Sequence, residues 1–348
     1  MVLASVAVGL IAILIFSGVI YQAVGTARDN QRFPPPGRLV DVGGFRLHLQ
    51  DSGGNSGNSG KTSAPVVVFE AGIAASSLSW SRVAPEVAKF SRVIRYDRSG
   101  LGWSERSSAP RSAAQCAQEL RSVLEKAGIP GPFVLVGHSF GGYVARIFAG
   151  RFPEQLDGLV LLDSPSTSEW IPLDPDAKRK LQGGVLFSRI GAVLAGLGVV
   201  RFCLARLTSG STGLPVMVTR SFGPSALTVV GRLVGEVQKL PASVWPQVQA
   251  HWCQPKSFRS MASHLAHLPQ SAAQVEAMAL PENIPVIVLT ASKPDAARRA
   301  AQEAVARLSA RGKHSVATTS GHWMQLDEPD LVIEAIRAVC AAAKVSGK

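Results

Sequence analysis

A serine held between two glycines is the residue of this sequence best placed to act as a nucleophile. Ser139 lies in FVLVGHSFGG, where an apolar run ends and a serine follows, flanked by Gly137 and Gly141. This pattern indicates a sharp turn from a strand into a helix, because a side chain at either glycine would collide with the doubled-back chain. Such a turn would project the Ser139 hydroxyl clear of the sheet.

A serine hydroxyl is a poor nucleophile unless a base lies within hydrogen-bond reach and a third group orients that base. We expect His322 to be the base, because it lies in a glycine-flanked loop before a predicted final helix. His138 adjoins the serine, but in such a turn its side chain is expected to point away from the nucleophile. His264 and His267 have the i, i+3 spacing of helical metal ligands, yet no third ligand lies nearby, so we predict no metal site.

Five short apolar runs are typical of strands that are buried on both faces of a parallel sheet. Helical patterns lie between them, such as residues 113–128, where apolar positions recur at helical spacing and a glycine ends the segment. A hairpin pattern around Gly43 and Gly44 precedes the runs. The sequence therefore predicts an α/β fold with a doubly wound, mostly parallel sheet. The runs are PVVVFE (65–70), RVIRYD (92–97), FVLVGH (133–138), LVLLD (159–163) and PVIVLT (285–290).

One interval interrupts this alternation of strands and helices. About 120 residues separate the fourth run from the fifth, far more than an ordinary connection needs. We expect an inserted helical cap, or lid, over about residues 165–282, within a domain of residues 38–348. The segment is apolar, but it carries 11 basic and 6 acidic residues between Ser164 and Glu282. Such a cap suits either packing on the body of the domain or contact with a membrane surface.

The N-terminus carries a second apolar feature. No charged side chain occurs from Val2 to Val24, and about 20 such residues are enough for a helix to cross the hydrocarbon core of a bilayer. We predict a transmembrane anchor over residues 1–27, a linker over residues 28–37, and a single-pass membrane protein. A cleaved signal peptide, which would leave a secreted protein, is the alternative. Three arginines after the apolar run favour a cytoplasmic domain.

Composition argues against several other classes of function. The chain of 348 residues has a formal net charge of +12, but its basic residues are scattered and form no nucleic-acid motif. We therefore expect no nucleic-acid partner. The four cysteines form no CxxC pair, so their spacing indicates neither a zinc site nor a redox motif. We expect no cofactor.

From about Gly37 to the C-terminus, apart from the cap, the sequence resembles the α/β-hydrolase fold superfamily. GHSFGG has the form of the nucleophile elbow of that superfamily, and VFEAGIAASSLSW (68–80) has the form of its oxyanion loop. YDRSGLGWSE (96–105) is similar to its D-R-x-G-x-G-x-S turn, and SGHWMQLDEP (320–329) to its histidine loop. Four motifs in this order, each on the expected element, argue against a chance match.

The resemblance implies a Ser-His-Asp triad whose acid is either Asp163 or Asp295. Asp295 follows the predicted penultimate strand, where the superfamily more commonly has the acid, and it lies 27 residues before His322. Its turn, however, lacks the usual glycine. Asp163 directly ends a predicted strand at which some members carry the acid instead. We favour Asp163 and keep Asp295 as the alternative.

The resemblance also implies an oxyanion hole formed by the backbone N–H groups of Phe140 and Ile73. Many relatives have a histidine before the glycine of the oxyanion loop, whereas this chain has Glu70-Ala71-Gly72. The backbone donor is compatible with that departure, but the hydrogen bonds that surround it must differ.

Together these features favour a membrane-anchored serine hydrolase, similar to esterases and lipases, that acts on a hydrophobic small molecule through an acyl-enzyme. Epoxide hydrolysis is not expected, because on this fold it uses an aspartate nucleophile and tyrosines, and the cap contains no tyrosine. One alternative is an acyltransferase that uses the same triad. Another is a non-catalytic ligand-binding membrane protein of the same fold.

Overall fold

The computed structural model describes residues 2–53, 65–208 and 238–346, in which eight strands form one sheet. The strands are β1 (Arg38–Asp41), β2 (Arg46–Ser52), β3 (Val66–Glu70), β4 (Val93–Tyr96), β5 (Phe133–His138), β6 (Leu156–Leu162), β7 (Pro285–Thr290) and β8 (Arg311–Val316). Their order across the sheet is β1-β2-β4-β3-β5-β6-β7-β8. β2 pairs with β1 and with β4 in antiparallel register, and the other neighbouring strands are parallel. The predicted α/β fold with a mostly parallel sheet is confirmed.

Helices cover both faces of the sheet. They are α1 (Val2–Arg32), α2 (Ala84–Val87), α3 (Ala113–Lys126), α4 (Phe140–Arg151), α5 (Pro175–Gly196), α6 (Val199–Thr208), α7 (Trp245–Trp252), α8 (Pro255–Ala266), α9 (Leu268–Glu276), α10 (Ala296–Ala306), α11 (Met324–Asp327) and α12 (Pro329–Ser346). Phe133 and Leu135 of β5 pack with α3 and α4, whereas Val134 and Val136 pack with α2 and α12. Successive residues of a strand point to opposite faces, so a strand covered on both sides must be apolar throughout.

The sequence around α3 shows how local signals set the ends of a helix. Ser112 is the N-cap, and its hydroxyl oxygen accepts a hydrogen bond from the Gln115 N–H (3.4 Å). At the other end Gly128 adopts a φ of 68°, and the following Ile129 N–H donates to the Leu124 carbonyl (3.0 Å). α3 therefore occupies the segment that the helical pattern predicted.

The chain leaves the sheet after β6 and returns at β7 through α5 to α9, and residues 209–237 of the predicted cap lie outside the described residues. α5 packs along α8, where Gly191 lets the Phe258 ring approach closely. α8 is bonded in turn to the loop after β4. Lys256 Nζ donates to the carbonyl oxygens of Gly102 (2.8 Å) and Ser104 (2.9 Å). The described part of the insertion is thus fixed to the body of the domain.

The predicted N-terminal apolar helix is present as α1. It has 31 residues, its most apolar 18-residue window has a mean hydropathy of 2.7, and residues 2–17 are exposed. Among the described helices, α1 alone is by itself long and apolar enough to cross a membrane, and α5 with α6 meets the test only as a span bent by 88°. α1 continues to Arg32, so residues 28–32 of the expected linker are helical.

Candidate active site

Ser139 lies at a strained turn between β5 and α4. Its backbone has φ 53° and ψ −124°, a conformation that residues other than glycine rarely adopt. Two backbone hydrogen bonds hold the turn: the Ser139 N–H donates to the Leu162 carbonyl of β6 (2.9 Å), and the Gly142 N–H donates to the Ser139 carbonyl (2.8 Å). A Cβ on Gly137 would lie 2.6 Å from the Gly141 carbonyl oxygen. The elbow therefore needs its glycines because backbone packs directly on backbone.

His322 lies in the loop between β8 and α11, with 46% of its side chain exposed. Its Nδ1 is 2.6 Å from Oδ2 of Asp163, the residue that follows β6. A neutral imidazole that donates its Nδ1–H to a carboxylate keeps Nε2 as a proton acceptor. The arrangement can therefore take a proton from a hydroxyl group that reaches Nε2.

Asp163 is held from several sides, and only 4% of its side chain is exposed. Its N–H donates to the Leu289 carbonyl of β7 (2.8 Å), and its Oδ1 accepts from the Ala291 N–H (3.1 Å) and from Arg298 Nη2 (2.9 Å). Burial acts to raise the pKa of Asp163, but the hydrogen bond with His322 and the charge of Arg298 outweigh it and lower that pKa to about 2. The carboxylate is thus ionised at neutral pH.

The other candidate acid, Asp295, has a different contact. It is the N-cap of α10, and its Oδ1 accepts a hydrogen bond from the Arg298 N–H (2.7 Å). Of the two aspartates, Asp163 is therefore the one that the fold brings to His322. The side chain of Arg298 reaches Asp163 from the first turn of the same helix, across 135 residues of sequence. No local pattern indicated that contact.

His138 packs against the histidine loop, which differs from the expected orientation away from the nucleophile. Its Nε2 lies 2.8 Å from the His322 carbonyl oxygen, and the two imidazole rings have centroids 4.7 Å apart. Burial, with a further contribution from nearby His322, lowers the pKa of His138 to about 3. The ring is therefore neutral and donates its Nε2–H to that carbonyl. His138 thereby helps to hold the loop that carries His322.

The predicted oxyanion loop passes close to the serine. A Cβ on Gly72 would lie 3.4 Å from Ser139 Cβ and 3.1 Å from His138 Nδ1, so this approach suits a glycine. Within the described ranges of the chain, the N–H groups of Ile73 and Phe140 have no hydrogen-bond acceptor. Both N–H groups are therefore free to donate to a ligand oxygen.

The buried side chain of Arg98 orients the oxyanion loop. Arg98 Nη2 donates to the Gly72 carbonyl oxygen. In a trans peptide the C=O of Gly72 and the N–H of Ile73 point in opposite directions. Anchoring the carbonyl on Arg98 therefore turns the Ile73 N–H away from the guanidinium. The same guanidinium lies 5.2 Å from the centroid of the Phe140 ring, so it contacts both segments that carry the predicted oxyanion donors.

Glu70, the last residue of β3, balances the charge of Arg98. Both side chains are buried, and Glu70 Oε1 lies 3.4 Å from Arg98 Nη1. The Tyr96 hydroxyl donates to Glu70 Oε2. Burial raises the pKa of Glu70 to about 7, against the opposing effects of Arg98 and Tyr96. An ionisable group that titrates near neutral pH thus lies beneath the oxyanion loop.

Asp97 supports the loop from the turn after β4. Its Oδ1 accepts from the Ser77 N–H (2.7 Å), while its Oδ2 accepts from the Trp103 N–H (3.1 Å) and lies 2.8 Å from His48 Nδ1. Burial acts to raise the pKa of Asp97, but these contacts, above all that with His48, lower it to about 2. The D-R-x-G turn, the first hairpin and the oxyanion loop are therefore tied together by one carboxylate.

The two helical histidines bind their own helix. His264 Nδ1 lies 2.8 Å from the Ser260 carbonyl, and His267 Nδ1 lies 2.8 Å from the Ser263 carbonyl. In the part of the chain that the structure describes, no three histidine, cysteine, aspartate or glutamate side chains are grouped to hold a metal ion.

Known proteins share this fold and parts of this sequence. The family model described as alpha/beta hydrolase fold matches residues 65–187. Uncharacterized protein YqjL of Bacillus subtilis (strain 168) is 34% identical over 126 residues, which cover 36% of this chain and 47% of that protein. An uncharacterized vacuolar membrane protein of Saccharomyces cerevisiae (strain ATCC 204508 / S288c) is 34% identical over 130 residues, which cover 34% of this chain and 20% of that protein. The chain thus spans less than half the length of these relatives.

Solved structures with the same fold cover most of this chain. The epoxide hydrolase CorEH, without ligand, has a TM-score of 0.62 at 18% identity and covers 87% of this chain and 98% of its own. A thermophilic esterase from Thermogutta terrifontis has a TM-score of 0.58 at 21% identity and covers 86% of this chain and 94% of its own. The chain is therefore an α/β-hydrolase-fold protein, as its four motifs predicted.

Proposed function

We propose that this protein is a serine hydrolase that cleaves an ester or related acyl bond of a hydrophobic small molecule. The observation that carries the proposal is the 2.6 Å contact between His322 Nδ1 and Asp163 Oδ2, in a loop that packs on His138, the neighbour of Ser139 in the elbow. Acyl transfer needs a nucleophile, a base oriented by a carboxylate, and donors for an oxyanion. The N–H groups of Phe140 and Ile73 are assigned the last role.

In the proposed reaction, Nε2 of His322 takes the hydroxyl proton as Ser139 Oγ attacks the carbonyl carbon. The N–H groups of Phe140 and Ile73 bind the oxyanion of the tetrahedral intermediate. Collapse of this intermediate breaks the bond to the leaving alcohol, which takes the proton from His322, and leaves an acyl-serine. Water, deprotonated by the same imidazole, then releases the acid. Asp163 stays ionised and stabilises the imidazolium in both steps.

An acyl bond is proposed in preference to an epoxide, although an epoxide hydrolase is among the proteins of similar fold. The elbow carries a serine, whereas epoxide opening on this fold is expected to use an aspartate. Residues 164–282 also contain no tyrosine that would protonate an epoxide oxygen. A carbonyl substrate makes use of every group assigned above, and an epoxide does not.

We further propose that residues 1–27 anchor the protein in a membrane and that residues about 165–282 form a cap over the active site. The apolar helix α1 and the vacuolar membrane relative from yeast are consistent with a membrane location. The apolar character of the cap favours a substrate with a hydrophobic acyl or alcohol group. Rates over a series of esters of increasing acyl length would define that preference.

Labelling of the full chain with a fluorophosphonate probe tests the proposal. We expect the wild-type protein to be labelled and Ser139→Ala to be unlabelled, with His322→Ala strongly slowed. Labelling that survives Ser139→Ala would reject the assigned nucleophile, and a folded wild-type protein that stays unlabelled would reject the hydrolase. Product analysis with an added alcohol separates hydrolysis from acyl transfer, because hydrolysis gives only the free acid.

A further inference from the structure

The outer surface of α5 and α6 carries large apolar side chains that are exposed. We call this surface the apolar stripe. Its residues are 38% to 62% exposed and comprise Leu186, Phe187, Ile190, Val193, Val199 and Phe202. The spacing of the α5 members places them on one helix face. The opposite face of α5 is buried, with Gly191 against Phe258 of α8. The stripe therefore faces outward because the packing of the insertion requires it.

α1 fixes the position of this stripe relative to a membrane. A Cβ on Gly198, in the turn between α5 and α6, would lie 2.7 Å from the Gly18 carbonyl oxygen and 2.9 Å from Tyr21 Cδ1. A hydrocarbon core of about 30 Å needs about 20 helical residues, so a span that begins at Val2 ends at about Tyr21. The turn between α5 and α6 therefore lies level with the last residues of that span.

Polar contacts between α1 and the insertion begin just beyond this level. Gln22 Oε1 accepts from Arg201 Nε (3.0 Å), and Arg201 Nη1 lies 2.5 Å from Asp29 Oδ2. The Gln22 amide nitrogen donates to the Cys253 carbonyl (2.9 Å). Ionised groups are costly in hydrocarbon, so this cluster belongs on the aqueous side of the boundary. The change from apolar to polar residues along α1 thus occurs at the level of the turn that joins α5 and α6, next to the apolar stripe.

We propose that the turn between α5 and α6, with the apolar stripe, inserts into the membrane leaflet that α1 enters. Arg189, exposed beside Ile190, is suited to contact lipid phosphate groups at this boundary. The consequence for substrate rests on the proposed function: a lipid-soluble ester enters the site from the bilayer, through the cap.

A depth measurement on the full chain in phosphatidylcholine vesicles tests this insertion. An environment-sensitive fluorophore is attached at Val193→Cys or at Phe202→Cys. Both variants also carry Cys203→Ser, because Cys203 is partly exposed and would react with the fluorophore, whereas the other three cysteines are buried. Leu308→Cys is the matched control, since Leu308 is 44% exposed in the loop before β8, outside the insertion. We expect emission at Val193 and Phe202 to shift to shorter wavelength and to be quenched by lipids spin-labelled on their acyl chains. The control is expected to show neither effect.

Two results of this measurement would overturn the insertion. One is quenching at Val193 and Phe202 that is no stronger than at Leu308. The other is a wavelength shift that acyl-chain quenchers do not touch and that grows with the protein-to-lipid ratio, which would assign the stripe to a contact between two copies of the chain. Depth does not depend on activity, so failure of the hydrolase proposal would appear in fluorophosphonate labelling and leave this measurement unchanged.

The route of the substrate has its own test in the double variant Val193→Asn/Phe202→Asn. Its hydrolysis of a long-chain ester dissolved in vesicles should fall about tenfold or more, the factor expected when apolar side chains of this size lose their burial in lipid. Hydrolysis of a soluble short-chain ester should stay within about twofold of the wild-type rate. An equal loss on both esters would contradict entry from the bilayer.

Discussion

Replacement of the Asp163 carboxylate by an amide tests the proposed triad most directly. Asp163→Asn keeps the size of the side chain but removes the charge that faces His322 and Arg298. Folding lowers the pKa of Asp163 from 3.8 to about 2, which at about 1.36 kcal/mol per unit corresponds to about 2.5 kcal/mol of carboxylate stabilisation. If that interaction holds the imidazolium in the transition state, its loss costs about 10² in rate.

The tautomer of His322 adds to this loss. An asparagine that donates its amide N–H toward Nδ1 stabilises the imidazole form whose Nε2 already carries a proton, and that form cannot act as the base. The same change in the chymotrypsin-type triad costs about 10⁴. We therefore expect kcat of Asp163→Asn to fall by about 10² to 10⁴. KM should change little, because Asp163 is buried behind the imidazole.

The assay is steady-state hydrolysis of a soluble short-chain p-nitrophenyl ester by the full chain in detergent, with circular dichroism to verify folding. Asp295→Asn is the matched control: asparagine also caps a helix, so α10 and the activity should be preserved within about twofold. A kcat for Asp163→Asn within about threefold of wild type, or an equal loss in Asp295→Asn, would refute the assignment of the acid.

Three further predictions concern the groups around the triad. Arg98→Lys should lower kcat by about 10- to 100-fold with KM unchanged, because an ammonium cannot pair with Glu70 and hold the Gly72 carbonyl as a guanidinium does; a change in KM alone would contradict an orienting role. Folding raises the pKa of Glu70 from 4.5 to about 7, so its neutral form contributes about 3 kcal/mol of stability below pH 4.5 that is lost as the pH rises to about 7. In Glu70→Gln this pH-dependent loss of stability should be absent when the free energy of unfolding is measured in urea between pH 4.5 and 7. A variant whose stability falls with pH as steeply as that of the wild type would contradict the role of Glu70. Gly141→Ala should destabilise the fold by about 2 kcal/mol, since its Cβ would lie 2.7 Å from the Ala71 carbonyl oxygen. Gly183→Ala on α5 has no atom within 4 Å of the new Cβ and should stabilise by about 0.5 to 1 kcal/mol; thermal unfolding of both variants should show the opposite signs.

The central strands could be predicted because their burial on both faces leaves a continuous apolar signal. β5 and β7 coincide with their apolar runs, and β3 begins one residue inside its run. β8 was harder to delimit, because it lies at the edge of the sheet and is only partly buried. Its first residues are Arg311, Gly312 and Lys313, which look like a loop by composition. A boundary set from composition alone would fall at His314, three residues after the strand begins.

The C-terminal limit of α1 depended on a tertiary contact. Asp29 is held by Arg201, from a segment more than 170 residues away in sequence, and the helix continues through Arg28 and Asp29 to Arg32. Composition alone placed the end of the apolar helix near residue 27. The helical conformation of residues 28–32 accompanies a contact with α6 that the local sequence does not reveal.

Local sequence pointed to Ser139 and His322 because each lies in a turn with its own glycine pattern. The choice between Asp163 and Asp295 depends on the direction of two side chains at the ends of neighbouring strands, which no local pattern specifies. The contacts of His138 with the His322 loop and of Arg298 with Asp163 join residues 184 and 135 positions apart. They could not be read from composition or periodicity.

The hydrogen-bond ladder of the sheet runs through the nucleophile and the acid themselves. Ser139 donates to Leu162 of β6, and Asp163 donates to Leu289 of β7, so neither amide can exchange its hydrogen without opening the centre of the sheet. His322 lies instead in a loop, half exposed. On gentle heating the base should therefore move out of place while the nucleophile stays fixed. Activity would then disappear reversibly at temperatures at which the sheet amides are still protected from exchange.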